Sequence, residues 1–269
     1  MIKISIITIN RNNQSGLGAT FKSVFGQTIN NFEYIVIDGA STDGSVALIK
    51  EYEDRINYWV SEPDKGIYNA MNKGIRQAKG EYLLFLNSGD ILYDPSILQG
   101  LSEAGFVEDI IFGDVIFEGE TAPLIMPDKI SLETFLGPSI GHNATFIKAG
   151  LFEKYGFYNE GNKIVSDLEF FLNAIVKHGS SYRHINRTFT VQQKGGISVS
   201  PDYEGIKTEE RMACFKRTFP EFYGMIRENF SLKESLAFYE HSRVIQLIKR
   251  MQESRLNRLK NTYFRFKKS

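Results

Sequence analysis

The chain has 269 residues, enough for one large domain or for one domain with an extension, and its composition is that of an ordinary globular protein rather than a disordered or fibrous one. Lysine plus arginine equals aspartate plus glutamate at 32 each, so the overall balance gives no reason to expect nucleic acid or another polyanion as the main partner. The single cysteine, Cys214, excludes an internal disulfide and any multi-cysteine metal site, and it agrees with a reducing cytoplasmic setting.

Ile2 to Ile9 is rich in β-branched residues and predicts a first buried strand that stops in the polar cluster 10–14. Its opening is too short and too β-branched for a signal peptide, and no apolar run in the chain approaches the ~20 residues that cross a bilayer. Leu17, Phe21, Val24 and Phe25 mark a helical face. Tyr34 to Ile37 predicts a second strand ending in Asp38-Gly39-Ala40-Ser41-Thr42-Asp43-Gly44, followed by a short helix from Ser45 to Tyr52 and a third strand from Ile56 to Val60. The turn-forming stretch 61–66 precedes a helix from Ile67 to Ala78, which Gly80 is placed to end.

Glu81 to Asp90 is the organising stretch. An apolar run, Tyr82 to Leu86, reads as a strand buried on both faces, and it ends abruptly in Asn87-Ser88-Gly89-Asp90. Ligands in an open α/β sheet gather beyond the carboxyl ends of its strands, so Asp90 would meet a divalent metal or a sugar hydroxyl there. The same residue types also make a simple turn. A helix over Pro95 to Leu101 and a strand over Ile110 to Phe117 continue the alternation, which calls for right-handed crossovers and a largely parallel sheet.

Beyond Gly119, prolines 123, 127 and 138 break the pattern. A helix is predicted over Ile164 to His178 with Ser166, Asp167 and Glu169 near its start, a strand over Arg183 to Val191, a flexible loop at Gly195-Gly196, and helix from Glu209 onward. From Arg243 to the end, nine basic residues face a single acid among helically spaced apolar residues, a pattern that fits an anionic membrane surface, a second subunit or a solvated tail.

Together these stretches resemble family 2 of the glycosyltransferases, which have the A-type nucleotide-sugar fold (GT-A). The resemblance rests on Ile4 to Arg11 with its Thr-x-Asn-Arg end, on Asp38 to Ser45, and most specifically on Glu62 to Gly74. It implies an α/β, Rossmann-like GT-A fold with a mostly parallel central sheet flanked by helices and a C-terminal helical extension. Residues 1–205 would form the catalytic domain, with 1–118 the nucleotide-sugar half and 119–205 the acceptor half, leaving 206–269 as extension. The implied activity is inverting transfer of a sugar from a nucleoside diphosphate sugar to a glycan or lipid-linked acceptor, as in cell-surface polysaccharide synthesis, in the cytoplasm or at the inner face of the membrane.

By the same resemblance, Thr8, Asn10, Arg11, Asp38, Ser41, Asp64, Lys65, Gly66, Asn72 and Asn87 would line the donor crevice. Asp167 would be the catalytic base with Glu169 in reserve, and His142 would reach the acceptor or the departing phosphate. Where the family usually reads Leu-Asp-x-Asp-Asp, this chain reads Leu86-Asn87-Ser88-Gly89-Asp90, so Asp90 alone remains to ligate Mg²⁺ or Mn²⁺. Each residue also has a plainer reading: Asp167 as a helix-start acid, His142 as a structural ring, Asp43 and Ser41 as caps. The eroded acids leave open a non-catalytic sugar-nucleotide binding module. A nucleotidyltransferase would need a Gly-rich basic loop after the first strand, and residues 10–16 carry only one arginine.

Overall fold

The computed structural model describes residues 3–241 apart from 138 and 199, so the basic tail proposed to meet a membrane or a second subunit lies outside the described residues. By contact density the chain divides into Met1–Thr218 and Phe219–Ser269. In the second unit the described residues form the helix α9, Tyr223–His241, after a short 3₁₀ turn. No helix among the described residues is long and apolar enough to cross a membrane.

The first unit is built on a sheet of eight strands among the described residues: β1 (Ile4–Asn10), β2 (Glu33–Asp38), β3 (Tyr58–Ser61), β4 (Tyr82–Phe85), β5 (Ile91–Leu92), β6 (Ile110–Phe117), β7 (Thr145–Lys148) and β8 (Tyr182–Gln192). They lie in the order β3-β2-β1-β4-β7-β6-β8-β5. Strands β1 to β4 pair in parallel, and β1, β2 and β4 are buried along their whole length, which explains why they read as unbroken apolar runs. β7 enters antiparallel between β4 and β6, and β5 lies antiparallel on β8. Six strands therefore run one way and two oppose them. Neither reversed strand was legible, because two to four residues are too few to show a period.

Helices α1 (Gln14–Phe25), α2 (Ser45–Glu51), α3 (Ile67–Gln77) and α4 (Ile97–Ala104) connect the first half. Asn13 caps α1, its side chain accepting from the Gly16 amide. Gly74 lets α3 lie close on β1, since a Cβ there would come within 2.4 Å of the Ile7 side chain. The apolar core carries α1 and α4 on one face of the sheet through Phe21, Val24, Ile97, Leu98 and Leu101.

In the second half, α5 (Leu132–Leu136) and α6 (Gly150–Tyr155) lead to α7 (Ser166–Phe171), where one long helix was expected. α7 passes into a wider π-helical turn over Leu172–Lys177, closed by Ser180 N donating to Ala174 O. An aromatic cluster of Phe85, Phe152, Tyr158 and Phe170 seats α7 against the sheet; the Phe152 and Phe170 rings stack at 4.4 Å. The next helix, α8 (Glu204–Thr218), packs with this first unit through Cys214 and Phe215.

Candidate active site

The carboxyl ends of β1, β2 and β4 meet at one edge of the sheet. Asp38, at the end of β2, is buried and accepts four hydrogen bonds: Asn10 Nδ2 at 2.8 Å, Ser41 N at 2.9 Å, Ser41 Oγ at 2.5 Å and Ser61 Oγ at 2.6 Å. Burial works against its charge, but the donors from Ser41, Ser61 and Asn10 outweigh it and hold the carboxyl below its ordinary value. All four lone-pair positions of a carboxylate are thereby used. Asn12 Oδ1 accepts from Thr42 N at 2.7 Å and Ser41 Oγ accepts from Asn12 N at 2.8 Å, lacing the two loops together.

Beside this scaffold lies a cavity of about 360 Å³ lined by Asn10, Arg11, Asp64, Gly66, Asn87, Ser88 and the stretch Gly195-Gly196-Ile197. Oδ1 of Asn10 is buried there with no partner. The Arg11 guanidinium, 67% exposed, stands 4.0 Å from Asp64 Oδ1. Five of the ten expected donor residues are not brought to this cavity as ligand groups. Thr8 is buried and bonded to Leu86 O and Tyr34 Oη. Asp38 is saturated, as described. Lys65 is exposed and does not line the cavity. Asn72 is taken up by Tyr158, donating to its carbonyl and accepting from its amide, so it ties α3 to the chain leading into α7. Ser41 acts through Asp38.

Asn87, Asp90 and His142 line a narrower chamber of about 130 Å³ that continues from the first cavity past Ile67, Ser88, Gly196 and Ile197. Gly89 has φ of +101°, and a Cβ there would fall 1.8 Å from Gln193 Oε1. The glycine that stands where the family has an acid thus suits a backbone conformation that other residues rarely adopt, and any side chain there would have to displace Gln193. Gln193 N donates to Asp90 Oδ1 at 2.9 Å, while Asn143 Nδ2 donates to Oδ2 at 3.2 Å. Burial nevertheless dominates, and the Asp90 carboxyl is pushed up to about 6.

His142 joins this chamber to a third cavity of about 250 Å³. Its Nδ1 donates to Asp167 Oδ2 at 2.7 Å, and its Nε2 lies 3.1 Å from Asn87 Nδ2. With the amide so oriented, Nε2 accepts and the ring is neutral. A half-turn of the amide would instead offer Asn87 Oδ1, which is buried without a partner, to a protonated Nε2. Burial opposes charge on His142, but Asp167 and then Asp90 outweigh it and lift the ring above its ordinary value. Asp167 shows the converse: burial raises its carboxyl, and the hydrogen bond and charge of His142 bring it below the ordinary value. Asp167 Oδ1 also accepts from Leu168 N and lies 3.0 Å from the Tyr68 hydroxyl. One lone pair of Oδ2 is left.

Glu169, the reserve base, does not join this cluster. Two positions along a helix turn a side chain about 200° away, and Glu169 faces a separate hollow where Arg217 Nε and Nη2 donate to it at 2.6 and 2.9 Å. The sequence reading missed Tyr68, Asn143 and Gln193, and also Glu210, which fixes the approach to α7 by accepting from Lys163 N and Ile164 N at 2.6 and 2.9 Å. Lys207 and Arg211 of α8, in the stretch expected to be an extension, line the third cavity. Only the glycine pair at 195–196 signalled that the stretch beyond β8 was special.

A mostly parallel sheet with one reversed strand beside β4, and with polar clusters converging beyond its carboxyl edge, is the architecture of nucleotide-sugar enzymes of the GT-A class. The family model "Glycosyl transferase family 2" matches residues 5–154, more than half of the chain, and the chain belongs to that family. An uncharacterised glycosyltransferase of Mycobacterium tuberculosis strain H37Rv is 37% identical over 185 residues, 64% of this chain and 68% of that one. A PGL/p-HBAD biosynthesis glycosyltransferase of Mycobacterium bovis BCG is 31% identical, covering 62% and 67%. Among solved structures, residues 1–349 of Staphylococcus aureus TarS in complex with UDP-GlcNAc superpose with a TM-score of 0.65 at 19% identity, over 85% of this chain and 71% of that one. The mannosyltransferase PcManGT of Pyrobaculum calidifontis with GDP-Man and Mn²⁺ gives 0.60 at 12% identity, over 94% and 79%. The protein is a family 2 glycosyltransferase with the GT-A fold.

Proposed function

We propose that the protein transfers a sugar, with inversion, from a nucleoside diphosphate sugar to a hydroxyl of a glycan or lipid-linked acceptor. The observation that carries this reading is the hydrogen-bonded series Asn87, His142, Asp167, which starts beside Asp90 in a narrow chamber and ends at the wall of another cavity. The neighbours in complex with UDP-GlcNAc and GDP-Man support the donor class. The cavity beside Asn10, Arg11 and Asp64 holds the nucleoside, where the orphan Oδ1 of Asn10 is an acceptor for a base or ribose donor.

Inversion needs a base on the face opposite the departing diphosphate. Among the described residues Asp167 is the only acid lining the third cavity, and its free lone pair on Oδ2 takes the proton of the acceptor hydroxyl. His142 holds that oxygen in place and faces the chamber where diphosphate charge develops.

Residues fitting a divalent cation are present on the donor side. The buried Asp90 carboxyl is under-compensated, and the Asn87 carbonyl oxygen has no partner. Among the described residues no three acids, histidines or cysteines cluster to hold a metal, so Asp90 and Asn87 would hold Mg²⁺ or Mn²⁺ only with phosphate oxygens completing the shell. The ion would neutralise the leaving diphosphate.

A screen of UDP-, GDP- and dTDP-sugars with Mn²⁺, by thermal shift and by slow hydrolysis, tests the reading. At least one sugar nucleotide should raise the melting temperature and be hydrolysed. Binding without hydrolysis or transfer would instead make this a sugar-nucleotide binding module.

A further inference from the structure

The third cavity has an uneven wall. Val115, Phe117, Leu124, Met126 and Ile140 make one side apolar, and α8 closes the other with Lys207 and Arg211. These two cations are four residues apart and so share a helix face. α8 is fixed relative to Asp167, because Glu210 holds the backbone of Lys163 and Ile164, and Arg217 holds Glu169 on α7.

The two cations are not equivalent. Lys207 is engaged, 2.6 Å from Glu204 and donating to Ser198 O at 3.3 Å. Arg211 has no hydrogen bond or ion pair with any described residue, and its Nε is buried without a partner. The acids near it are Glu204 and Asp167, one paired with Lys207 and the other with His142. A guanidinium left this way beside a cavity costs free energy unless an oxyanion meets its planar fork, and Arg is the side chain best matched to phosphate and carboxylate. Arg211 lines neither the chamber of Asp90 nor the nucleoside cavity, so a donor diphosphate at Asp90 does not supply that oxyanion.

We infer that the acceptor is an amphiphile carrying an oxyanion, a phosphate or a carboxylate, which seats on Arg211 while its apolar part lies against Val115, Leu124 and Met126. The inference rests on the third cavity being the acceptor site. It adds a specificity residue, Arg211, on a helix that the family motifs do not reach.

The test is calorimetric titration of the full chain, with no nucleotide present, using decyl phosphate, decanoate and decyl β-glucoside below their micelle-forming concentrations. At least one of the two anions should bind ten times more tightly than the glucoside or better, and the tighter one names the oxyanion. Arg211→Gln should weaken that anion about ten- to a hundredfold, the usual range for one charged hydrogen-bonded contact, and Arg211→Lys should lose less. UDP affinity should stay within about threefold in both variants, which also shows that they fold. Equal binding of anions and glucoside, or no effect of Arg211→Gln on the anion, overturns the inference. So does a tenfold loss of UDP affinity in Arg211→Gln, which would make Arg211 a diphosphate ligand. Failure of all sugar nucleotides to be hydrolysed would defeat the transferase reading and leave this titration intact.

Discussion

The two sides of the cleft use polar residues in opposite ways. On the side of β1 and β2, the signature residues spend their hydrogen bonds within the protein: Asp38 accepts four, Thr8 joins Leu86 O to Tyr34, and Asn72 serves the backbone of Tyr158. From the end of β4 to α8, groups are left wanting: Asn87 Oδ1 and Arg211 Nε have no partner, and Asp90 is pushed up to about 6. The difference teaches that much of a recognisable motif is scaffold that shapes the cavity beside Asn10 and Asp64, and that unmet bonding marks where a ligand group can be sought. Asn10 crosses the division, its Nδ2 building the scaffold while its buried Oδ1 has no partner.

The largest expected effect is on the reactive side. Asp167→Asn should lower transfer by about 10²–10⁴-fold, the usual worth of a positioned base, while nucleotide affinity changes little. Steady-state rates beside calorimetric nucleotide binding read the two separately, and near-normal turnover would remove Asp167 from the role. The counterpart on the scaffold side is Asp38→Ala. It strands the buried donor of Asn10 and the part-buried donors of Ser41 and Ser61, and should cost about 3–5 kcal/mol of stability in urea unfolding. If that variant kept full stability and lost only nucleotide binding, Asp38 would be a ligand and the comparison would fail.

The same division explains what was legible. β1 to β4 and their helices could be read because parallel strands buried on both faces leave continuous apolar runs, and the turn residues between them have strong local preferences. The position of Asp167 was readable as an acid at a helix start. Its pairing with His142, 25 residues away, was not, since it depends on the reversed strand β7, which brings His142 alongside β4. Nor could sequence separate Asp167 from Glu169, which differ only in which way one short helix turns them. Gly89 was readable as a lost acid, whereas its positive φ and contact with Gln193 follow from a partner a hundred residues on.

A middle-sized effect is expected at Asp90. Its folded carboxyl titrates at about 6, above the ordinary 3.8. Between those values the folded chain holds a proton that the unfolded chain has released, so Asp90 erodes stability as pH rises from about 4 to about 6. The gap corresponds to at most about 3 kcal/mol. Without metal, Asp90→Asn should therefore melt higher than the parent at pH 7.5 by up to that amount, lose the advantage near pH 4, and fail to bind sugar nucleotide in a Mn²⁺-dependent way. Thermal melts across pH check the first two, and a variant less stable at pH 7.5 would show that Asp90 is scaffold like Asp38.

The smallest effect on rate is expected at Glu169, and it sharpens the comparison most because Glu169 is two residues from Asp167. Burial raises the Glu169 carboxyl, and Arg217, Asn159 and Asn162 bring it below the ordinary value. Its contribution to stability is therefore present above the unfolded value and lost as pH falls through the lower folded one. Glu169→Gln keeps the shape and removes the charge that Arg217 faces, so it should cost about 1–2 kcal/mol in urea unfolding at pH 7 and progressively less as the solution is acidified. Transfer should stay within about threefold, since this side chain opens on a different hollow from the one that holds Asp167. A loss of a hundredfold in kcat with unchanged stability would put the proton on Glu169 and return Asp167 to the scaffold.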